Sequence, residues 1–360
     1  MIPNYAGLSF PREAPTIQTS PANAPDIWRC AVSTLSSTKP EALQCSASLE
    51  HLPVNLFAAV MGIAGLSIAW RQASQQFGVT PVISAATGLL AILVFLVLGG
   101  GYLAKAIRHP AAVAAEFRHP VAGNFFGTIT IAVLLLSAVI SPVSQPLAEA
   151  VWGVGAVATV AFSFTIASRL LQGKIETRHA VPAWFIPGVA TLDIAVAGGT
   201  MPMPWAHEVN LFALAVGTMI ALLFFTIIMS RVIHHEPLPA AMIPSLLIMM
   251  APFEVGFLAY TNFTQRVDTF SGLLFYFGLF LFLTLAPKVF RKGIPFASGW
   301  WAISFPMAAL ASAALKYSMF AQAWPVTLIA IILLALLSIA IAVLFFRTLQ
   351  MLLNGRLLTG

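Results

Sequence analysis

The sequence predicts an all-α integral membrane protein. Of its 360 residues, 59% are hydrophobic and only 8% are charged, and the mean hydropathy is +0.91. Ordinary soluble proteins contain about 45–50% apolar and about 25% charged residues. The eighteen basic and twelve acidic side chains cannot cover the surface of a soluble protein of this length. The third observation is a series of apolar runs, each of spanning length.

The apolar runs number ten. A bilayer core of about 30 Å takes about 20 residues as helix, and helices are expected because lipid offers no partner to an open strand edge. We therefore predict spans at 53–70, 82–104, 120–141, 147–168, 182–198, 208–230, 240–262, 269–287, 295–315 and 325–346.

The odd-numbered and even-numbered spans differ in character. Even spans are rich in Leu, Ile, Val and Phe and contain no interior proline. Spans five, seven and nine carry Pro187, Pro252 and Pro306, whereas spans one and three carry glycines at 62, 65, 123 and 127. Proline frees backbone groups, which a membrane tolerates only where the backbone faces protein or water. The odd spans are therefore expected inside and the even spans outside.

A repeat of prolines supports this arrangement. Prolines begin the odd spans, at 53, 120, 182, 244 (or the nearby 239) and 295. Proline also suits the first turn of any helix, so the repeat by itself indicates only where helices begin. Combined with the alternation, it predicts five helical hairpins in a quasi-fivefold arrangement, with the inner odd helices lining a central pore.

The basic residues predict the orientation. Fifteen lysines and arginines fall in the tails and the even-to-odd connections, whereas only Arg71, Arg266 and Lys316 fall on the opposite side. The excess places both termini in the cytoplasm. We expect a poorly ordered N-terminal tail at 1–52, a transmembrane domain at 53–350 and a C-terminal tail at 351–360. The membrane is expected to be the bacterial inner (plasma) membrane.

Five segments resemble one known family. They are Phe57–Leu66, Glu116–Pro120, Pro182–Gly188, Ala251–Gly256 and Trp300–Pro306. In this order, on successive odd spans, they resemble the TehA family of tellurite-resistance and C4-dicarboxylate transporters, which is related to the plant slow anion channels. The resemblance covers about 50–350, which includes all ten spans.

The resemblance implies a pore through each protomer, a homotrimer and a phenylalanine that plugs the pore from the ninth helix. The matching residue is Phe305, and Pro306 stands where some relatives have glycine. A bulky ring in a narrow apolar pore blocks ions sterically and by dewetting. The expected helix-break or pore-lining residues are Gly62, Gly65, Gly127, Pro187, Gly188, Pro252 and Pro306.

The inner spans lack a mid-membrane lysine or arginine, so an anion would be attracted only weakly, by helix ends and by exposed donors. This favours a passive channel for small inorganic or organic anions. Asp193 and Glu254 leave an alternative open, because intramembrane acids are candidate proton carriers. That alternative is a proton-coupled carrier of C4-dicarboxylates, sulfite or tellurite. The alternative without a transport role is that Asp193 is hydrated near the outer end and that Glu254 accepts a hydrogen bond from a neighbouring helix.

Other classes find no support in the sequence. The basic residues are dispersed between apolar runs and do not form a nucleic-acid-binding patch. The seven histidines lie near span ends or in loops, so neither haem nor a metal site is expected. No Walker or Rossmann glycine pattern is present. We therefore expect neither an enzyme nor a cofactor.

Overall fold

The computed structural model describes residues 48–173 and 179–357, and these form an all-helical bundle. Within these ranges we number eleven α-helices in chain order. They are α1 (Phe57–Phe77), α2 (Val82–Arg108), α3 (Pro110–Arg118), α4 (Gly127–Ile140), α5 (Gln145–Leu170), α6 (Phe185–Gly198), α7 (Ala206–His234), α8 (Ala251–Thr264), α9 (Thr269–Val289), α10 (Ser304–Ala321) and α11 (Trp324–Leu353).

Eight helical segments of the described chain are long and apolar enough to span a membrane. The segment that ends with α6, Pro182–Gly198, is apolar but shorter, and α10 is not among the eight. Ten spans were predicted. The fifth and ninth predicted spans, which contain α6 and α10, do not meet the criteria of length and hydropathy that the other eight meet. Helix α6 is almost wholly buried, and α10 is buried from Ser304 to Leu315. Lys316 lies in the partly exposed last turns of α10, where its ammonium donates to the Asn262 side chain of α8.

Burial separates two kinds of segment. The qualifying segments that contain α1, α4 and α8 are 78%, 56% and 78% buried inside the protein. Those of the five uninterrupted helices α2, α5, α7, α9 and α11 are only 17–39% buried. This contrast is the one expected if glycine- and proline-bearing spans are surrounded by protein and regular apolar ones face lipid.

Each buried helix is preceded by a 3₁₀ segment. The five 3₁₀ segments are Val54–Leu56, Ala122–Phe126, Pro182–Trp184, Ala240–Met250 and Ser298–Ile303, and they precede α1, α4, α6, α8 and α10 in that order. Pro187, Pro252 and Pro306 therefore lie in the first turn of an α-helix, where proline is tolerated. The sequence placed these breaks inside continuous spans, whereas the structure places them at 3₁₀-to-α junctions.

Helix contacts follow the chain order. We call the five helices that follow a 3₁₀ segment (α1, α4, α6, α8 and α10) the broken helices, and α2, α5, α7, α9 and α11 the regular helices. Each broken helix packs against the regular helix that follows it: α1 on α2, α4 on α5, α6 on α7, α8 on α9, and α10 on α11. The broken helices also contact one another, because α1 packs against α4 and α10, and α6 and α8 continue the series between those two. At one junction the Ser304 hydroxyl of α10 donates to the Ala58 carbonyl of α1, at 3.0 Å.

The ends of the domain differ from the expected boundaries. Residues 1–47 of the predicted tail lie outside the described residues, but Leu49–His51 forms a 3₁₀ turn and Leu52 is buried. At the other end, α11 extends to Leu353, beyond the expected boundary at 350. The short helix α3 was not predicted, because its nine residues are too few for a span.

A buried ion pair fixes the segment that leads into α1. Lys105 of α2 lies 2.7 Å from a carboxylate oxygen of Glu116 in α3 and also donates to the Leu52 carbonyl, at 2.8 Å. Glu116 accepts further hydrogen bonds from the Tyr102 hydroxyl and the Val54 amide. The sequence counted Lys105 among the loop charges, whereas its side chain is only 4% exposed. One carboxylate thus joins α2, α3 and the start of α1.

We predict that Lys105→Met destabilises the protein by about 3 kcal/mol, because it leaves the Glu116 carboxylate buried without its cation. Thermal unfolding in detergent measures the effect as a lowered Tm. Lys288→Met removes an exposed lysine at the end of α9 and is the matched control. An equal Tm for the two variants would contradict the structural role of the pair.

Candidate functional site

The broken helices enclose a small cavity. It has a volume of about 30 Å³ and is lined by residues from each of the five 3₁₀-to-α segments. The lining residues are Ala58, Met61, Phe125, Thr128, Ile131, Ile186, Val189, Ile248, Ala251, Trp301, Ala302, Phe305 and Pro306. A space of this size holds about two water molecules at most, and apolar walls do not retain them.

Phe305 borders this cavity from α10. It is the second residue of that helix and is 7% exposed. Its neighbours Ala302 and Pro306 also line the cavity, and the hydroxyl of Ser304 is tied to α1 by the bond to Ala58. The benzyl side chain therefore projects from a backbone segment that is anchored to the adjacent broken helix.

The first turns of the broken α-helices surround the cavity. Ala58, Thr128, Ile186, Ala251 and Phe305 each lie within the first two residues of their helix. The amino-terminal end of a helix carries a partial positive charge. The preceding 3₁₀ turns continue the ladder of hydrogen bonds and occupy some of these amides. These helix ends favour negative charge at the cavity, and no ammonium or guanidinium group among the described residues lines it.

Of the seven predicted helix-break or pore-lining residues, Pro306 is the one that lines this cavity. The four glycines allow helices to approach closely, because an added Cβ would overlap a neighbour: Gly62 meets Ser304, Gly65 meets Ala308, Gly127 meets Ile186 and Phe162, and Gly188 meets Ile220. Small residues serve this purpose in membrane helix packing.

The two remaining prolines face other surroundings. Pro187 is buried, and its carbonyl accepts hydrogen bonds from Ser163 and Thr191. Pro252 borders an apolar groove formed with α7 and α9. Neither proline lines the central cavity.

Asp193 lies on the cavity-facing side of α6. It follows Ile186 by seven residues and Val189 by four, so the three side chains share one helix face. It is 1% exposed, and neither carboxylate oxygen has a hydrogen-bond partner among the described residues. This burial differs from the hydrated side chain that was expected near the outer end.

Glu254 points away from the cavity. A Cβ on Gly278 of α9 would overlap its carboxylate, so the side chain occupies the interface between α8 and α9. Glu254 is fully buried, and within the described chain both carboxylate oxygens lack a hydrogen-bond partner. The expected bond from a neighbouring helix is not formed. The two buried acids thus lie in different places, Asp193 along the central face and Glu254 inside a hairpin.

The charged groups at the start of α9 are paired locally. At the start of α9, the Asp268 carboxylate accepts the Ser271 amide and the Tyr260 hydroxyl, which lowers the pKa of that carboxyl. Arg266 lies 3.7 Å from the same carboxylate. Among the described residues, no group of three or more His, Cys, Asp or Glu side chains is placed to hold a metal ion.

Sequence reasoning missed most of the cavity lining. Met61, Thr128, Val189 and Ile248 are ordinary residues for an apolar span, and their composition carries no signal. The available signal was position, because each lies within four residues of a 3₁₀-to-α junction. A proline marks the junction directly in only three of the five segments.

Comparison with known proteins gives a match over most of the chain. Residues 51–349 match the model of the SLAC1 family, described as voltage-dependent anion channel. The match includes all five broken segments and the central cavity that they line.

Individual relatives agree with the family match. The tellurite resistance protein TehA homolog of Haemophilus influenzae is 26% identical over 296 residues, which is 81% of this chain and 86% of the relative. Uncharacterized transporter MJ0762 of Methanocaldococcus jannaschii is 28% identical over 76% of this chain and 86% of its own length. The S-type anion channel SLAH2 of Arabidopsis thaliana is 28% identical over 75% of this chain, but the match spans about half (53%) of that plant protein. On the family match, the chain belongs to the voltage-dependent anion channel (SLAC1) family.

Proposed function

We propose that the protein is a passive anion channel whose closed state is maintained by Phe305. The observation that carries this proposal is the central cavity: every broken segment contributes to its wall, and Phe305 lies at its border. Displacing a benzyl side chain would join the cavity to the space on either side of it. The relatives include proteins named as anion channels, which supports the same class of activity.

The proposed pore follows the axis of a ring of five hairpins. Such a ring requires contacts of α1 with α4 and α10 and of α6 with α4 and α8, and these contacts are present. The contact of α8 with α10, which would complete the ring, is also present. The regular helices then form the outer layer toward lipid. We also propose a homotrimer in the bacterial inner membrane with cytoplasmic termini, on the strength of the family resemblance and the excess of basic residues on one side.

Anion selectivity would come from weak attraction. The first turns of the broken helices surround the cavity, so their dipoles favour an anion over a cation. No basic side chain among the described residues lines this space to hold the ion tightly. Conduction needs such weak binding, because an ion must leave as readily as it enters. Small inorganic or organic anions are the expected permeant species.

We predict that Phe305→Ala raises anion conductance at least about tenfold in planar bilayers or oocytes, because it removes the benzyl group that closes an apolar constriction. Single-channel and macroscopic currents in chloride measure the change. A Phe305→Leu variant keeps part of the bulk and is expected to give an intermediate conductance.

Phe280→Ala is the matched control, because Phe280 lies on α9 with 60% of its surface exposed. Phe280→Ala makes the same chemical change on the exposed face of α9 and is expected to leave the current at the wild-type level. Background currents in folded, membrane-inserted Phe305→Ala protein would contradict the gating role.

A proton-coupled carrier for C4-dicarboxylates, sulfite or tellurite is the second candidate. The specific observation in its favour is the pair of buried acids, Asp193 and Glu254, neither of which has a hydrogen-bond partner among the described residues. An ionised carboxylate without a partner is unstable in such surroundings, whereas a protonated one is tolerated. Of the two, Asp193 is better placed to couple to transport, because it shares the helix face of the cavity-lining Ile186 and Val189.

We predict that the reversal potential follows the chloride gradient alone and does not move when a pH gradient is added. The measurement uses the Phe305→Ala background, in which currents are expected to be large. Asp193→Asn and Glu254→Gln should leave the reversal potential unchanged. A shift with the pH gradient that either substitution abolishes would favour the carrier over the channel.

A further inference from the structure

A second cavity lies at one end of the bundle, away from the central one. It has a volume of about 310 Å³ and is bordered by the end of α3, the turn after it, the end of α5 and the 3₁₀ segment before α6. It shares no lining residue with the cavity beside Phe305. Its volume is at the lower end of the range for small-molecule sites. This cavity is therefore separate from the proposed pore and large enough for a small ligand of its own.

Two guanidinium groups border this cavity. Arg169 donates to the Phe117 carbonyl at 2.7 Å and stacks over the Phe117 ring at 4.0 Å, so its plane is fixed. Arg118 is exposed and repels the positive charge of Arg169. In the described part of the chain neither arginine forms an ion pair with a carboxylate. Two adjacent cations without a counter-charge favour a bound anion.

His119 adds a neutral donor. Its Nδ1 accepts the backbone amides of Val121 and Ala122, at 3.2 and 3.0 Å. A nitrogen that accepts in this way carries no proton, so the proton of the neutral ring lies on Nε2. His119 is exposed and borders the cavity. The loop thus sets the tautomer that presents an N–H donor without adding a permanent charge.

Trp184 supplies an independent observation. This residue borders the same cavity and is 7% exposed, and its indole nitrogen is buried without a hydrogen-bond partner among the described residues. A buried indole N–H normally finds a partner. The ring itself is held by an edge contact with Phe224, at 6.0 Å between centroids. An unpaired N–H donor in a cavity that two arginines also line favours a ligand that accepts hydrogen bonds.

We propose that this cavity, defined by Arg118, His119, Arg169, Gln172, His179 and Trp184, binds a phosphate-bearing ligand. All six side chains offer N–H donors, and no carboxylate lines the cavity within the described residues. Planar guanidinium groups match the paired oxygens of phosphate better than a spherical halide. The shared chemistry is a phosphate group that carries two negative charges or one, and its source is either a soluble small molecule or the headgroup of an anionic lipid.

The test measures binding of inorganic phosphate, glycerol 3-phosphate and short-chain phosphatidic acid to the purified full-length protein in uncharged detergent. Arg118→Gln should weaken binding about tenfold, because it removes one charge-assisted partner from the site. Arg108→Gln removes an exposed arginine from the end of α2 and is the matched control, which should bind as the wild type does.

Trp184→Phe keeps the aromatic ring but removes the N–H, and it should weaken binding as well, with Tm near that of the wild type. Binding of phosphatidic acid alone would assign the site to a lipid headgroup, and binding of the soluble ligands would assign it to a free phosphate ester. Equal affinities for Arg118→Gln, Arg108→Gln and the wild type, or the absence of binding for all three ligands, would overturn the proposal.

Discussion

The bilayer's lack of hydrogen-bonding partners constrains every broken segment of this fold. A change from 3₁₀ to α geometry, or a proline beside it, leaves some backbone groups without a helix partner, and at membrane depth these need surrounding protein. The described chain has five such junctions, at the starts of α1, α4, α6, α8 and α10, and their helices are the more buried ones. Because the junctions shelter one another, they meet around one small apolar cavity. Phe305 is the second residue of α10, so it lies beside one of these junctions and therefore borders the cavity.

The sequence predicted an all-helical membrane protein and the division between more buried and more exposed helices, because the prolines and glycines bear directly on backbone geometry. It did not predict the direction in which individual side chains point. Gly62 and Gly188 were predicted as helix-break or pore-lining residues; a Cβ at Gly62 would overlap Ser304 and one at Gly188 would crowd Ile220, whereas Glu254 points toward Gly278. These outcomes depend on helix rotation, which a span defined only to within a few residues does not specify. The resemblance, and not composition, drew attention to Phe305 among 27 phenylalanines.

Polar groups near one end of the bundle divide into two systems with different chemistry. Lys105 and Glu116 neutralise each other and tie α2, α3 and the residues before α1 together. Arg118 and Arg169, from the next part of the chain, remain uncompensated within the described residues. The first system is complete without a ligand, whereas the second has donors in excess. The single residue Phe117, between Glu116 and Arg118, contacts Arg169 and so links the two.

The most direct test of the central claim is cysteine accessibility along the proposed axis. Single cysteines at Met61, Thr128, Val189 and Ala251, one on each of four broken helices, are introduced into Phe305→Ala protein whose native Cys30 and Cys45 are replaced by serine. A charged thiol reagent is expected to block the anion current at each position, whereas a cysteine at Val97 of α2, which is 74% exposed on the outer layer, should have no effect. Current that persists unchanged at all four positions would contradict a conduction path among the broken helices.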